Sequence, residues 1–405
     1  MSFDDCTLAD SLKQEGKLEE AIALYETAVK LNPKSPLAYH NLGKALQQNG
    51  QLEKAVACQQ QAIILQPNFT PAYFPLLYAP LPKNSPLIDD IIAVYRQVIE
   101  NLPNFPLAYI NLAVALSKQG KIQESIALFQ TAVRLQTVAS RPELSKIEWN
   151  SQKLRSPDFT IIGSPRCGTT SLYKYITSHP QILAAAHKEI CFFSEHFNKG
   201  LAWYQAHFPP ETEAHDFLTG EATPTYLTHP LAAERLYGCL PKMKLIVIFR
   251  HPGDRAFSHY QMLVRRGTES RSFESAIEAE LQLLHGATET SLADRNNWKD
   301  CHYIYKSLYF YSLKQWLNIF PKDQFLILQS ENFYANPAIS LQQVFEFLGV
   351  PDFQLNHYQK YNGANYQPGN QVANQRLREY FQPHNQKLDE YLNSVGAGFT
   401  NNKWL

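Results

Sequence analysis

Residues 163–171 read GSPRCGTTS. They follow the apolar run FTII (Phe159 to Ile162) and lead into SLYKYITSHP, which has helical periodicity and ends at proline. An apolar strand, a glycine-bearing loop and a helix in that order place backbone N–H groups and a helix N-terminus together, which makes a local anion site. Two glycines five apart ahead of a hydroxyl residue nearly spell the nucleotide phosphate loop GxxxxGK[ST], but Thr169 stands where the lysine belongs. The positive charge sits earlier, at Arg166. A kinase or ATPase also needs a Mg²⁺-binding aspartate at the end of a hydrophobic strand. The next such strand, KLIVIFR (Lys244 to Arg250), ends in arginine instead. The loop has the means to hold an anion without the machinery that ATP requires.

Working outward, KLIVIFR is followed by HPGD and a helix expected from about Arg255. QFLILQS (Gln324 to Ser330) is followed by the helix SLQQVFEFLG. Unbroken apolar strands alternating with helices predict a parallel sheet with helices on both faces and ligands at the carboxyl ends of its strands. In RHPGDRAFSHY, Arg250 leaves a strand end and Ser258 lies eight residues on, in the first turns of the next helix, so both can meet one phosphate. Two phosphate sites on one sheet suit a nucleotide phosphorylated at both ends.

The segments GSPRCGTTSLYKYITSHP, KEICFFSEHF, WYQAHFP, GEATPTYL, KLIVIFRHPGDRAFSHY and YNGANYQPGNQVANQRLREYFQPHNQKL resemble the sulfotransferase superfamily, nearest to its glycan branch, the heparan sulfate N- and O-sulfotransferases. The resemblance runs over nearly all of 158–391. It implies transfer of a sulfuryl group from 3′-phosphoadenylyl sulfate (PAPS) to a hydroxyl or amine, most readily of a saccharide. The product would be 3′-phosphoadenosine 5′-phosphate (PAP), and no metal is needed. It assigns Arg166, Cys167, Gly168, Thr169, Thr170 and Ser171 to the 5′-phosphosulfate and Arg250 with Ser258 to the 3′-phosphate. The C-terminal loop would offer Asn362, Gly363 and Asn365, with Lys360 just outside. Glu189 in HKEICFF matches the glutamate base of the glycan branch, with Arg166 and the adjacent Lys188 completing the catalytic set. Phe192 and Phe193 are expected to shield the base from water, while the bland reading of Glu189 is a surface carboxylate paired with Lys188. Lys306 and Tyr309, in YIYKSLYF, are candidates for contact with nucleotide or acceptor, helix packing being an equal reading of the tyrosine.

Three departures bear on this. Ala222 in GEATP replaces a lysine common in the branch, the C-terminal loop is less basic than usual, and the cysteines that often flank it are missing. Cys167 reads as a small filler of the turn in preference to a reactive thiol.

The first third of the chain repeats. LKQEGKLEEAIALYETAVKLNP (from Leu12) returns as LQQNGQLEKAVACQQQAIILQP (from Leu46) and as LSKQGKIQESIALFQTAVRLQT (from Leu116), with Gly16 and Gly50 34 residues apart. The aromatics Tyr39, Tyr73 and Tyr109, the small residues Ala21, Ala55 and Ser125, and the prolines Pro33, Pro67 and Pro103 resemble tetratricopeptide repeats. Each unit would be two antiparallel helices, close where residues are small and ended by proline. About four units fit in 2–137, the third disturbed by the prolines of LLYAPLPKNSPL. Such a solenoid is a scaffold or dimerisation surface, or a groove for a protein or peptide partner.

The fold class expected is therefore an α-helical tetratricopeptide solenoid (2–137), a polar linker (138–157) and an α/β sulfotransferase domain with a central parallel sheet (158–405). The chain has 405 residues, 44% hydrophobic and 18% charged, and 37 basic residues balance 37 acidic ones. That balance gives no global pull toward nucleic acid. No apolar run approaches the ~18 residues of a membrane span, and the N-terminus has no signal-like segment. With six scattered cysteines and no membrane anchor of the kind found in Golgi relatives, a cytoplasmic, bacterial protein is expected. Thirteen dispersed histidines show no metal-ligand spacing. Competing readings are a nucleotide kinase, a protein-tyrosine or small-molecule sulfotransferase, and a non-catalytic interaction protein.

Overall fold

The computed structural model describes residues 3–14, 16–82, 85–147, 149, 153–211, 216–298, 301–361 and 371–396. The chain divides into two compact units, Met1–Ser151 with Val264–Glu269, and Gln152–Leu263 with Ser270–Leu405.

The first unit is built of helix pairs: α1 (Phe3–Gln14) with α2 (Leu18–Leu31), α3 (Pro36–Gln48) with α4 (Leu52–Leu65), α5 (Tyr73–Leu77) with α6 (Pro86–Asn101), and α7 (Pro106–Lys118) with α8 (Ile122–Ser140). Three of the four intra-pair turns carry a glycine at left-handed φ, Gly16 (80°), Gly50 (75°) and Gly120 (82°), with open space where a Cβ would stand. Backbone conformation, not crowding, selects glycine there. Helix starts are equally legible: Pro36 opens α3 behind Ser35, whose hydroxyl accepts the Ala38 N–H at 3.2 Å. The small positions Ala21, Ala55 and Ser125 are buried where paired helices meet. Tyr73 and Tyr109 donate their hydroxyls to the carbonyls of Pro67 and Pro103, each six residues back, at 2.6 and 3.0 Å. In the disturbed third pair the first helix shrinks to the five residues of α5, because Pro80 and Pro82 cannot donate within a continuing helix. The expected linker begins later than the sequence suggests. Residues 138–140 extend α8, and Pro142–Lys146 form a 3₁₀ turn with Leu144 buried, so the polar composition there covers a packed apolar anchor.

In the second unit β1 (Phe159–Gly163), α9 (Thr169–Ile176), β2 (Ile182–Ala184), α10 (Leu201–Gln205), β3 (Leu218–Ala222), α11 (Ala232–Cys239) and β4 (Lys244–Phe249) come first. Then follow α12 (Pro252–Arg265), α13 (Phe273–Leu284), α14 (Glu289–Ala293), α15 (Tyr309–Leu317), β5 (Phe325–Gln329), α16 (Ser330–Ala335), α17 (Pro337–Leu348) and α18 (Gln371–Ser394). The five strands are all parallel in the order β2-β3-β1-β4-β5. Strands β1, β4 and β5 are those expected. Helix α12 starts at Pro252, three residues earlier than expected, because a proline's fixed φ and missing N–H suit a first helical turn. The chain leaves β1 toward β3 and β2 on one side and later continues from β4 to β5 on the other. The boundary between β1 and β4 is thus the topological switch point, where an open α/β sheet forms its ligand crevice. Apolar residues from both faces enclose the sheet, with Ile161, Ile246, Leu172 and Phe345 on one side among the fully or nearly fully buried residues.

Candidate functional site

The loops after β1 and β4 meet at that switch point. Arg166 Nε donates to Ser258 Oγ at 3.2 Å, which joins the two motifs across 92 residues of chain. Arg166 itself has φ 73° and Gly168 φ 98°. A left-handed arginine is held only when its surroundings dictate it, and such residues gather at binding loops. The amides of Thr169, Thr170 and Ser171 lie ahead of the first intrahelical bond of α9, Leu172 N–H to Gly168 O at 3.0 Å, so they sit at the positive end of the helix. Two polar atoms at these strand ends, Ser164 Oγ and His251 Nδ1, are buried with no hydrogen-bond partner among the described residues. Polar atoms so placed suit a site that takes a polar ligand.

Not every expected contact survives. Cys167 is fully buried beneath the loop, its Sγ 3.7 Å from the Tyr309 hydroxyl, and burial pushes its thiol pKa up. Its side chain packs beneath the loop with no exposed surface. Tyr309 is also buried; it donates its hydroxyl to the Arg250 carbonyl at 2.9 Å and stacks on Phe249, ring centroids 4.3 Å apart. It props the end of β4. The Ser171 hydroxyl accepts the Tyr361 N–H at 3.1 Å and lies 3.5 Å from the Tyr334 hydroxyl, so its side chain ties α9 to the C-terminal segment. Asn362, Gly363 and Asn365 fall outside the described residues. Lys360 lies just before them, its ammonium 4.6 Å from the Tyr334 ring centroid.

Below the loops lies a polar network absent from the sequence reading. Arg255 is fully buried; it donates to Ser307 Oγ (2.7 Å), to the carbonyls of His302 (2.5 Å) and Tyr303 (2.9 Å), and approaches His259 Nδ1 (3.3 Å). From the other side the buried carboxylate of Glu280 accepts three successive amides, Tyr303, Ile304 and Tyr305, each at 2.9 Å. An arginine and a carboxylate thus grip one segment through its carbonyls and its amides. That segment carries Lys306, whose ammonium is 3.1 Å from His302 Nδ1. Burial and then the charge of Arg255 drive the His259 pKa far down, leaving a neutral imidazole among cations. Arg255 lies within the quoted RHPGDRAFSHY, one helical turn before His259; the signal available was a charge on the side of α12 that carries Ser258.

On the β3 side, Lys188 Nζ pairs with Glu189 Oε1 at 2.6 Å, their side chains 19% and 48% exposed. Phe192 and Phe193 do not cover Glu189. They are buried against Tyr204, Trp203 and Tyr226, Phe192 stacking on Tyr204 at 4.8 Å, because their rings fill the apolar layer beneath the turn. Both Glu189 (φ 64°) and Cys191 (φ 55°) are left-handed. Glu195 follows in a π-helical turn, its carboxyl pKa raised by burial and then by the charge of Glu189.

The geometry defines an α/β protein whose loops after β1 and β4 meet at the sheet's switch point, with a carboxylate-bearing turn on the β3 side. A sulfotransferase domain model matches residues 156–391, and the chain belongs to that family. Tetratricopeptide repeat models match residues 9–50, 36–69 and 94–127. The chain is 28% identical over 307 residues to the membrane-associated sulfotransferase kil1 of Dictyostelium discoideum, covering 58% of this chain and 65% of that one. It is 31% identical over 217 residues to the human bifunctional heparan sulfate N-deacetylase/N-sulfotransferase 2, covering 51% and 23%. It therefore spans less than two thirds of either relative. Among solved structures, a sulfotransferase from Alicyclobacillus acidocaldarius aligns with TM-score 0.46 and 26% identity over 59% of this chain and 96% of that one. No helix among the described residues is long and apolar enough to cross a membrane.

Proposed function

We propose that the α/β unit transfers a sulfuryl group from PAPS to a hydroxyl or amine, with a saccharide as acceptor. The observation that carries this reading is the Arg166–Ser258 bond at the switch point, which joins the two phosphate motifs in one crevice. The loop after β1 and the amides opening α9 receive the 5′-phosphosulfate. Arg250 and Ser258 receive the 3′-phosphate, and Lys306, on the segment gripped by Arg255 and Glu280, adds a cation. The half-exposed Glu189 carboxylate acts as base. The acceptor oxygen or nitrogen forms the new bond to sulfur as the sulfur–oxygen bond to the 5′-phosphate breaks in line. The acceptor's proton goes to Glu189 and PAP leaves, its growing charge met by Arg166 and the loop amides. The similarity to a heparan sulfate N-sulfotransferase supports the saccharide acceptor. The repeat unit would hold a protein or peptide partner in its groove.

Calorimetry with PAP and, separately, with ATP plus Mg²⁺ tests the donor: PAP binds and ATP does not, and the reverse result ends this reading in favour of a kinase. With labelled PAPS and oligosaccharide, peptide and lipid acceptors, Glu189→Ala lowers turnover on the order of 10²–10⁴-fold. Undiminished turnover would remove Glu189 as base.

A further inference from the structure

The turn 189–191 is held by the end of β3, residue against residue. The Glu189 N–H donates to the Ala222 carbonyl at 3.1 Å, the Ile190 N–H to the Glu221 carboxylate, and the Cys191 N–H to Thr223 Oγ1 at 3.3 Å. Three successive amides therefore meet three successive residues of the GEAT segment. Glu221 is fully buried and is the hub of this arrangement. Besides Ile190 it accepts from Thr223 Oγ1 (2.6 Å), Tyr204 Oη (2.8 Å) and Tyr226 Oη (3.0 Å). The threonine hydroxyl that donates to Glu221 is the one that accepts from Cys191, so the carboxylate orients it. Tyr226 Oη in turn accepts the Phe193 N–H at 3.3 Å, extending the hold past the turn. This density of bonds accounts for two non-glycine residues at φ 64° and 55°, a conformation that persists only where the surroundings enforce it. A buried carboxylate is costly, and one satisfied by four donors is fixed in place.

We infer that Glu221 is a positioning residue: its carboxylate locks the strained 189–191 turn and so aims Glu189 at the acceptor. This rests on the proposed role of Glu189. A base must stand within hydrogen-bond reach of the proton it takes, and a displacement of about 1 Å costs on the order of 10²-fold in rate. Glu221 touches neither donor nor acceptor and acts only through the turn.

Two measurements on the full chain test this. In hydrogen–deuterium exchange, Glu221→Gln speeds exchange of a peptide spanning 186–195 by about tenfold or more and leaves the 159–176 peptides unchanged. Its amide NH₂ must face donors that a carboxylate accepted. In a double-mutant cycle with labelled PAPS and a heparosan oligosaccharide, Glu221→Gln lowers kcat on the order of 10–100-fold with KM for PAPS unchanged. It adds little in a Glu189→Ala background. Thr223→Val gives the same pattern more weakly and Thr223→Ser restores it, which covers the case in which Glu221→Gln does not fold. Unchanged exchange in the turn, or losses that add fully to those of Glu189→Ala, overturns the inference. Wild-type transfer that is indifferent to Glu189→Ala sinks the base assignment instead, and the exchange result then decides the clamp on its own.

Discussion

At the scale of single residues, the site is set by what lies under it as much as by what faces the crevice. Among the described residues Arg255 has no carboxylate in direct contact, and burial pulls its pKa down, yet each nitrogen of its guanidinium is used, by Ser307, two carbonyls and His259. Arg255→Met would keep most of the volume and leave those acceptors, together with the charge of Glu280, uncompensated. The expected cost is about 3 kcal/mol in urea unfolding. PAP affinity should fall as well, because the segment carrying Lys306 loses one of its two grips. A variant with normal PAP affinity would show that the segment is placed by Glu280 alone. The contrast with Arg166 is instructive: both arginines were visible in the motifs, but only the one beside a glycine and hydroxyls advertised a ligand. Glu221 and Glu189 differ in the same way. A glutamate between Gly220 and Ala222 on a short strand gives no sign that four donors converge on it.

At the scale of elements, the loop after β1 passes into α9 through a residue, Gly168, whose backbone and surroundings disfavour any side chain. At Gly168, φ is 98° and a Cβ would stand 2.8 Å from the Tyr334 hydroxyl. Gly168→Ala should therefore displace Tyr334 or reshape the loop, lowering PAP affinity more than tenfold by calorimetry while α9 persists by circular dichroism. The packing of α18 on α15 carries a pH dependence. Tyr311 Oη and His384 Nδ1 are 3.2 Å apart, and burial followed by the charge of Lys387 lowers the His384 pKa from 6.5 to about 4. Unfolded, this histidine takes up its proton near 6.5; folded, it resists until about 4. Its contribution is complete above pH 6.5 and is lost as pH falls toward 4, up to roughly 3 kcal/mol. His384→Gln should flatten that part of the stability-versus-pH curve, and an unaltered slope between pH 6.5 and 4 would place the acid sensitivity elsewhere. The legibility of elements follows their burial. Strands β1, β4 and β5 announce themselves as unbroken apolar runs; β1 and β4 are buried along nearly their whole length, and β5, at the sheet edge, is buried at its end. Strand β2, Ile-Leu-Ala, is apolar but only three residues long, and β3 carries threonine, glycine and glutamate, so neither makes an apolar run long enough to read as a strand. Their place was fixed only by the pairing of β3 with β1 and of β2 with β3. The helix pairs were legible through their period, while the 3₁₀ turn after α8 was hidden because one buried leucine among polar residues has no period at all.

At the scale of the whole molecule, a net charge of zero conceals a strongly uneven arrangement. Arg166, Arg250, Arg255 and Lys306 come from three separate stretches of sequence and gather near one end of one sheet, a concentration that composition cannot report. Such a cluster repels itself until an anion occupies it, so ligand binding should be strongly coupled to stability. The two units keep separate apolar cores, one drawing on Tyr73, Tyr95 and Leu112, the other on Ile161, Ile246 and Phe345. Trp203 and Trp316, both buried, lie in the α/β unit, and their fluorescence reports on its unfolding. PAP at 100 times its Kd should add about 2.7 kcal/mol to that unit. The fluorescence midpoint should then rise by roughly 5–10 °C. Inorganic phosphate at the same concentration, which can satisfy one subsite but not both, should give a fraction of that shift. Arg250→Ala should bring PAP down toward the phosphate value, because it removes the cation proposed for the 3′-phosphate and leaves the loop after β1 intact. An equal shift with PAP and with phosphate would mean that the crevice recognises one phosphate only, and that the second motif serves the fold.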